Sequence, residues 1–212
     1  MNTFLVAALL AHIKLTAPES FQVADFTGSP QKLEPCGGEG EATYAVTTVE
    51  AGSQLTVSWK ETIYHPGHFR LSIAQRADEF STPEAVLDRG GNNCASAPIE
   101  SNPAYPTLVD GLFTHTSAGS GEWSTTVTVP DMSCDRCVLQ LLQFMSEHAP
   151  PCYYYQCAHL KIVPPDSGEE LGVHYVGGEP PKGCGCSGGG LPLVALALWL
   201  SSRPSRARPR AS

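Results

Sequence analysis

The chain has 212 residues, and 13 basic against 21 acidic residues give it a net charge of −8. Four of the arginines stand in the last ten residues, so the rest of the chain has 9 basic against 21 acidic residues, a balance of −12. A body this acidic argues against nucleic acid as a partner. The length suits one domain of ordinary size with appendages.

The chain starts with an apolar stretch, residues 2–11 (NTFLVAALLA), that ends in the small residue Ala11. This pattern is typical of the hydrophobic and cleavage regions of a secretory signal. The stretch is short and has no basic region, as in a signal whose start is truncated. The alternative to a signal is a buried apolar strand. We expect residues 1–11 to be a signal peptide whose removal makes His12 the first residue. His12 would then offer two metal-binding nitrogens, its α-amine and its imidazole.

Eight cysteines in a chain of this size favour an oxidising compartment. Cys134-Asp-Arg-Cys137 has the spacing of half a zinc site, but no matching pair follows in the main body, so zinc is the weaker alternative. Two cysteines belong to the tail, and the other six allow fifteen pairings, among which the sequence does not choose. We expect them to pin long loops, above all Glu79–Phe113. The six are Cys36, Cys94, Cys134, Cys137, Cys152 and Cys157.

The body of the chain has the alternating pattern of short β-strands separated by turns. No stretch shows a long helical period. We therefore predict an all-β domain over residues 12–164, an immunoglobulin/fibronectin III-like antiparallel β-sandwich with long, disulfide-pinned loops. The predicted strands are Thr43–Val49, Gln54–Trp59, Phe69–Ala74, Trp123–Val129, Val138–Phe144 and Tyr153–Val163.

A second candidate metal ligand stands between two of these strands. His65 ends one strand, Pro66-Gly67 makes a turn, and the next strand begins at Phe69. A histidine on such a tight turn is held rigidly at the rim of a sandwich. Copper(II) suits a set of imidazole and amine nitrogens. His68 is the alternative ligand.

Three motifs resemble lytic polysaccharide monooxygenases, which are copper enzymes that cleave recalcitrant glycans oxidatively. His12-Ile-Lys-Leu-Thr-Ala-Pro18 resembles their mature start, and His65-Pro-Gly-His-Phe69 the motif that carries their second copper histidine. Tyr154-Tyr-Gln-Cys-Ala-His159 is similar to their last strand. Cys134 to Gln140 (CDRCVLQ) is similar to a segment of animal-type members. The closest match is the bacterial branch described only as polysaccharide monooxygenase-like.

The resemblance implies one copper ion in a histidine brace. His12 and His65 would be its ligands and Tyr154 its axial neighbour. His159 stands where the family has an aspartate, a change expected to disturb a hydrogen bond rather than the metal. Gln143 is the candidate hydrogen-bond donor beside the copper, with Gln140 as its alternative.

The other histidines and aromatic residues carry weaker expectations. His115, His148 and His174 lie in polar segments and are expected to be solvated. Strand alternation should turn Tyr153 and Tyr155 to the face opposite Tyr154. Trp59 is expected in the core, and Trp123 is the one tryptophan that could be exposed to a glycan.

The C-terminal part of the chain carries a second targeting pattern. Residues 165–183 are polar and rich in Gly and Pro, which predicts a flexible linker. Residues 184–212 contain a Cys-Gly stretch, ten apolar residues and an Arg-rich end, too short to span a bilayer. This arrangement resembles the sorting signal of myxobacterial surface proteins, and implies sorting machinery as a partner and retention at the cell surface. The alternative is a weak membrane tether.

Three functions are compatible with these patterns. The first is a secreted copper monooxygenase that acts on a polysaccharide with electrons from an external donor. The second is a non-catalytic protein that binds or delivers copper with the same brace. The third is a surface-anchored sandwich used for adhesion. The sequence does not identify the glycan.

Overall fold

The computed structural model describes residues 12–25, 29–118 and 121–177. The expected signal peptide (1–11) and sorting signal (184–212) lie outside the described residues. Eleven strands and one short 3₁₀ turn (Ala77–Glu79) make up the regular structure of this part. The strands are β1 (His12–Ala17), β2 (Ala45–Glu50), β3 (Gln54–Ile63), β4 (Gly67–Ala74), β5 (Val86–Leu87), β6 (Cys94–Ser96), β7 (Thr107–His115), β8 (Glu122–Thr128), β9 (Cys134–Met145), β10 (Tyr153–Val163) and β11 (Gly172–Tyr175).

The strands form two main sheets that share one core, which confirms the predicted all-β sandwich. One sheet has the order β1-β3-β8 and the other β11-β2-β10-β9-β4-β7, while β5 and β6 form a separate hairpin. All pairs are antiparallel except β2 with β10, which run parallel. Within the described residues, no helix is long and apolar enough to cross a membrane.

The core follows from strand alternation. In β3 the buried residues Leu55, Val57 and Trp59 alternate with more exposed ones, so one face of the smaller sheet is apolar. That face packs against Phe69, Leu71 and others from β4, β9 and β10 of the larger sheet. Two apolar faces packed together remove both from water, which is the main stabilising contribution in a sandwich. The expectation that Trp59 is a core residue is confirmed.

The six predicted strands are all present, but the sequence analysis missed β7. This strand, Thr107–His115, begins inside the stretch Glu79–Phe113, which was expected to be a loop, and ends two residues beyond it. Its residues are mostly half-buried without alternation, and its pairing with β4 contains three register shifts. Gly111 has a φ of +69°, a left-handed conformation that interrupts a regular strand. A period-2 pattern is therefore absent from the sequence although the strand forms.

The expected linker, residues 165–183, also contributes to the sheet. Residues Gly172–Tyr175 form β11, which pairs antiparallel with β2 at the edge of the larger sheet. Val173 and Tyr175 remain exposed. The strand buries little apolar surface, so its sequence resembles that of a polar linker.

The six body cysteines form three disulfides. Cys94–Cys152 ties the segment before β7 to the connection between β9 and β10, as expected of a bridge that pins the long loop. Cys36–Cys157 joins the loop after β1 to β10 across 121 residues. Cys134–Cys137 closes a separation of only three residues within β9. The expectation of a pinned long loop is wrong for Cys134–Cys137. Because the two sulfurs are bonded to each other, they are not the thiolate ligands of a zinc site.

Candidate metal centre

The two candidate ligands meet because β1 and β3 are neighbours. His12 begins β1 and pairs with Ile63 at the end of β3, and the hydroxyl of Thr62 donates to the carbonyl oxygen of His12 at 3.0 Å. His65 follows two residues after β3 ends. The β1–β3 pairing thus brings the first residue of the domain and the β3–β4 turn to the same edge.

Gly67 allows this turn to lie close against β9. A Cβ at Gly67 would overlap the carbonyl oxygen of Phe144 on β9. The hydroxyl of Ser146 donates to the carbonyl oxygen of Pro66 at 3.2 Å, and the backbone N–H of Ser146 donates to it at 2.7 Å. The position after His65-Pro66 therefore needs a glycine, and the turn that carries His65 is fixed to β9.

Tyr154 completes the group expected from the sequence. It is 1% exposed at the start of β10, and its ring stacks against that of His12 with centroids 5.8 Å apart. His12 and His65 are near enough that a charge on His12 would lower the pKa of His65. The structure thus places His12, His65 and Tyr154 in one cluster.

Both imidazoles are kept neutral. Burial, followed by the proximity of His148 and His12, lowers the pKa of His65 to about 4. Burial also lowers the pKa of His12, partly offset by the nearby carboxylate of Asp25. A neutral imidazole has a lone pair free for a metal ion, whereas a protonated one does not.

The donor atoms of this cluster fit a metal ion. The Nε2 atoms of His12 and His65 are both buried and have no hydrogen-bond partner among the described residues. Buried polar atoms are normally paired, so the Nε2 of His65 is available to a ligand. In His12 the nitrogen that could bind a metal ion together with the residue's own α-amine is Nδ1. The Nδ1 atom of His12 lies 3.3 Å from the hydroxyl of Ser29. In the described ranges, no group of three His, Cys, Asp or Glu side chains that could hold a metal is present.

A family comparison agrees with the fold. Residues 15–160 match the family model described as "Lytic polysaccharide mono-oxygenase, cellulose-degrading". The matched segment is more than half of the chain. The chain belongs to the lytic polysaccharide mono-oxygenase family. Members of this family use copper.

Other comparisons are more distant. The chain is similar to the neutron crystallographic structure of a Jonesia denitrificans lytic polysaccharide monooxygenase, at 11% identity and a TM-score of 0.40. That similarity covers 72% of this chain and 100% of the other. No curated protein matches the chain.

Within this mono-oxygenase domain, His148 is a site residue that the sequence analysis missed. It was expected to be solvated, but its ring stands edge-on to His65 with centroids 4.7 Å apart and lies 5.9 Å from Tyr154. Its Nδ1 atom is buried and has no hydrogen-bond partner in the described part of the chain. Burial lowers its pKa, although backbone groups of Ala149 and Pro151 oppose this.

The backbone around His148 is held by the long loop. The N–H of Cys94 donates to the carbonyl oxygen of His148, and the N–H of Glu147 donates to the carbonyl oxygen of Cys94, both at 2.8 Å. The Cys94–Cys152 disulfide closes the same contact. This disulfide and these hydrogen bonds hold His148 at the site, and the sequence left the cysteine pairing open. The one available signal was its place in the short connection that leads into Tyr154.

His68, the alternative ligand, lies elsewhere. It is buried on β4, and its ring neighbours are Phe144 at 5.2 Å and the carboxylate of Asp110 at 4.0 Å. Asp110 also accepts a hydrogen bond from the buried guanidinium of Arg70 at 2.6 Å. Adjacent strand residues face opposite sides, so His68 belongs to this separate polar cluster on the outer face of the large sheet.

Gln143 stands behind His65 and is connected to it by Glu61. The Gln143 side chain is fully buried on β9, and its Nε2 donates to Oε1 of Glu61 at 2.8 Å. The same Oε1 accepts the backbone N–H of His65 at 3.0 Å. Gln140, the alternative, donates instead to the carbonyl oxygen of Pro35. Glu61 was not singled out from the sequence, because the predicted strand ended at Trp59, although β3 continues its alternation to a buried Glu61.

His115 and Trp123 are packed side chains rather than solvated ones. The ring of His115 lies 5.7 Å from Phe69 and 5.2 Å from Trp123, and its Nε2 lies 3.4 Å from the carboxylate of Glu61. The expectation of a solvated His115 is wrong. Trp123 is half-buried and also packs on Phe113 at 5.0 Å, so it does not form an open platform.

The remaining residues behave as strand alternation requires. Tyr153 and Tyr155 pack in a second apolar cluster on the face opposite Tyr154, which confirms that prediction. His159 faces outward and stacks on Phe21 at 4.5 Å. Burial lowers the pKa of His159 to about 4, with Arg136 adding to the effect. His174 lies on the outer strand β11 and contacts the carbonyl oxygen of Glu170.

Proposed function

We propose that the mature chain begins at His12 and binds one copper ion. The α-amine and imidazole of His12 and the imidazole of His65 would hold this ion, and Tyr154 would be its neighbour. The observation that carries this proposal is the buried, unpartnered Nε2 of His65 in one cluster with the rings of His12 and Tyr154. The α-amine supplies the third donor that the described side chains lack.

The protein residues prepare the site for such an ion. Lowered pKa values keep both imidazoles unprotonated at neutral pH, so no proton has to leave before the metal binds. Burial raises the pKa of Tyr154, so it stays a neutral phenol and limits access from the axial side. Gln143 and Glu61 hold the His65 turn from behind. Copper bound there supplies one-electron redox chemistry with dioxygen or hydrogen peroxide.

We further propose that the protein is a secreted monooxygenase that cleaves a polysaccharide oxidatively. Family membership supports a polysaccharide substrate and an external electron donor. Three disulfides support an oxidising compartment. Retention at the cell surface rests on the sequence of residues 184–212 alone.

Two preparations test the metal site. One begins at His12, and the other carries a single extra residue before it. Calorimetry with Cu(II) should give one tight site in the first. In the second, affinity should fall by more than the roughly 100-fold that loss of an outer partner produces. Equal affinity in the two would refute the brace.

Activity is tested separately. The copper-loaded mature protein is incubated with ascorbate and peroxide on a panel of insoluble glycans, and soluble products are analysed by mass spectrometry. Oxidised oligosaccharides from at least one glycan are expected. Tight copper binding without oxidised products from any glycan would contradict the oxygenase and favour a copper carrier.

A further inference from the structure

Two buried glutamines lie along the open edge of β1, the strand that begins with His12. Among the described strands, β1 is an edge strand of the smaller sheet and pairs only with β3. On its other side, the backbone N–H of Ile13 donates to Oε1 of Gln31 at 2.7 Å. The N–H of Leu15 donates to Oε1 of Gln156 at 2.8 Å. Buried backbone groups need such partners, so both glutamines stabilise the strand.

The two hydrogen bonds differ in their distance from His12. The carbonyl of His12 and the N–H of Ile13 belong to one peptide group, which is planar. The hydroxyl of Thr62 donates to this carbonyl oxygen at 3.0 Å, so the peptide is held at one polar atom by Thr62 and at the other by Gln31. Together the two bonds fix the plane that contains the Cα of His12. The bond to Gln156 acts two residues further along β1.

Gln31 is itself anchored beside Tyr154. Its backbone carbonyl oxygen accepts the N–H of Tyr155 at 2.9 Å, and its loop is tied to β10 by the disulfide of Cys36. Gln31 therefore bonds through its side chain to the residue after His12 and through its main chain to the residue after Tyr154. It links β1 to β10 at the point where the rings of His12 and Tyr154 stack.

His12 needs such a hold if it is the first residue of the mature chain. First residues of a chain usually fray, because no preceding residue ties them down. The α-amine and the side chain of His12 both leave from its Cα, so a displaced Cα moves both proposed donors. A metal site requires its ligands to be held within about 0.5 Å of their working positions. In a chain that begins at His12, the peptide bonded by Gln31 and Thr62 is the one backbone connection that can provide this.

We infer that Gln31 is a positioning residue of the metal centre, one that fixes the His12–Ile13 peptide and thereby the two nitrogens that His12 offers to the ion. This inference rests on the proposed function. It assigns to Gln31 an effect on the geometry of the bound metal. Gln156, which is similarly buried and accepts the same kind of bond, affects only the stability of β1. Thr62 holds the same peptide as Gln31, so its loss has an effect of the same kind.

The test compares three variants of the mature protein with the wild type. Gln31→Met and Gln156→Met each remove a side-chain acceptor and keep a side chain of similar length, and Gln156→Met is the matched control. Thr62→Val removes the hydroxyl and keeps the shape. The measurements are Cu(II) affinity by calorimetry, the electron paramagnetic resonance spectrum of bound Cu(II), and urea unfolding of the metal-free protein.

Gln31→Met and Gln156→Met should lower the free energy of unfolding of the metal-free protein by similar amounts, because each leaves one buried N–H unpaired. Of these two, only Gln31→Met should weaken Cu(II) binding, by about tenfold or more, as expected for a partner that orients a metal ligand. Its resonance spectrum should also differ from wild type, because the α-amine and imidazole are no longer held in one geometry. Thr62→Val should change the spectrum too and weaken binding by less, since Thr62 is only half-buried.

Wild-type affinity and spectrum in a folded Gln31→Met protein overturn the inference and leave the proposed function standing. Equal losses of affinity in Gln31→Met and Gln156→Met also overturn it, because the whole strand rather than its first peptide would then matter. If Gln31→Met does not fold, Thr62→Val decides, and an unchanged spectrum in that variant overturns the inference. A wild-type protein that binds no copper overturns both proposals.

Discussion

His148→Ala is the change that most directly probes the surroundings of His65. Edge-to-face contact between the two rings, at 4.7 Å, contributes about 0.5–1.5 kcal/mol to the free energy of unfolding. Removing the ring also opens His65 to water. Burial is the largest cause of the lowered pKa of His65 and His148 is the next, so the pKa should rise from about 4 toward the ordinary value of 6.5. Outer partners of metal ligands are worth about 10–100-fold in affinity, and we expect a loss of that size.

The assay has two parts, both on the mature chain. The imidazole resonance of His65 is followed against pH by nuclear magnetic resonance in the metal-free protein, and Cu(II) affinity is measured at pH 7.5 and at pH 5.5. The loss of affinity in His148→Ala should be larger at pH 5.5, because a proton then competes for His65. His174→Ala, on the outer strand β11, is the control and should change neither quantity. A His65 pKa still near 4 together with unchanged affinity in His148→Ala would refute the reasoning.

Three further outcomes are expected. In the metal-free wild type, the pKa of His65 in the folded state lies below its unfolded value, so the folded state binds fewer protons between pH 6.5 and about 4. The free energy of unfolding, measured with urea, should therefore fall by roughly 2 kcal/mol as the pH drops through this window. A free energy of unfolding that does not change with pH would contradict this prediction. Gly67→Ala should lower stability by more than about 2 kcal/mol because its Cβ meets backbone; a thermal midpoint equal to wild type would show that β4 can shift freely. Replacing Cys94 and Cys152 by Ala should lower the free energy of unfolding by about 2–4 kcal/mol and weaken copper binding. Replacing Cys134 and Cys137 by Ala should lower it by less and leave copper binding intact, because the Cys134–Cys137 bridge closes a very short loop.

The strands that could be predicted from sequence are those with one apolar and one polar face. β3 alternates cleanly between buried and exposed residues, so its position follows from period 2 alone. β4 is buried along its whole length but is still apolar at Phe69, Leu71 and Ile73. β7 escapes prediction because partial burial and register shifts remove the alternation that a sequence reveals. β11 escapes it because the strand has four residues and leaves its apolar side chains, Val173 and Tyr175, exposed. They form because a neighbouring strand offers unpaired backbone groups.

The site residues also divide into those that could be predicted from the sequence and those that could not. His12 and His65 stand at or beside the ends of the paired strands β1 and β3, so their proximity could be expected once the motifs were known. Tyr154 stands at the start of β10 in the larger sheet and meets them across the core. His148 and Glu61 could not be found this way. Glu61 lies on the buried face of β3, two residues after Trp59, but the predicted strand ended at Trp59 and did not include it. His148 depends on a disulfide partner that the sequence leaves open.

The link through His148 has a consequence for how the long loop acts on the metal centre. Loops that carry specificity usually vary without disturbing the scaffold beneath them. Here the loop segment at Cys94 is bonded through its backbone to both Glu147 and His148, and His148 contacts the ring of His65. A change in the loop that displaces Cys94 therefore displaces a neighbour of the proposed copper ligand. The loop that would select a glycan is therefore in contact, through His148, with the imidazole that would hold the metal. Grafting a different loop between β4 and β7 should alter the copper spectrum as well as the substrate range.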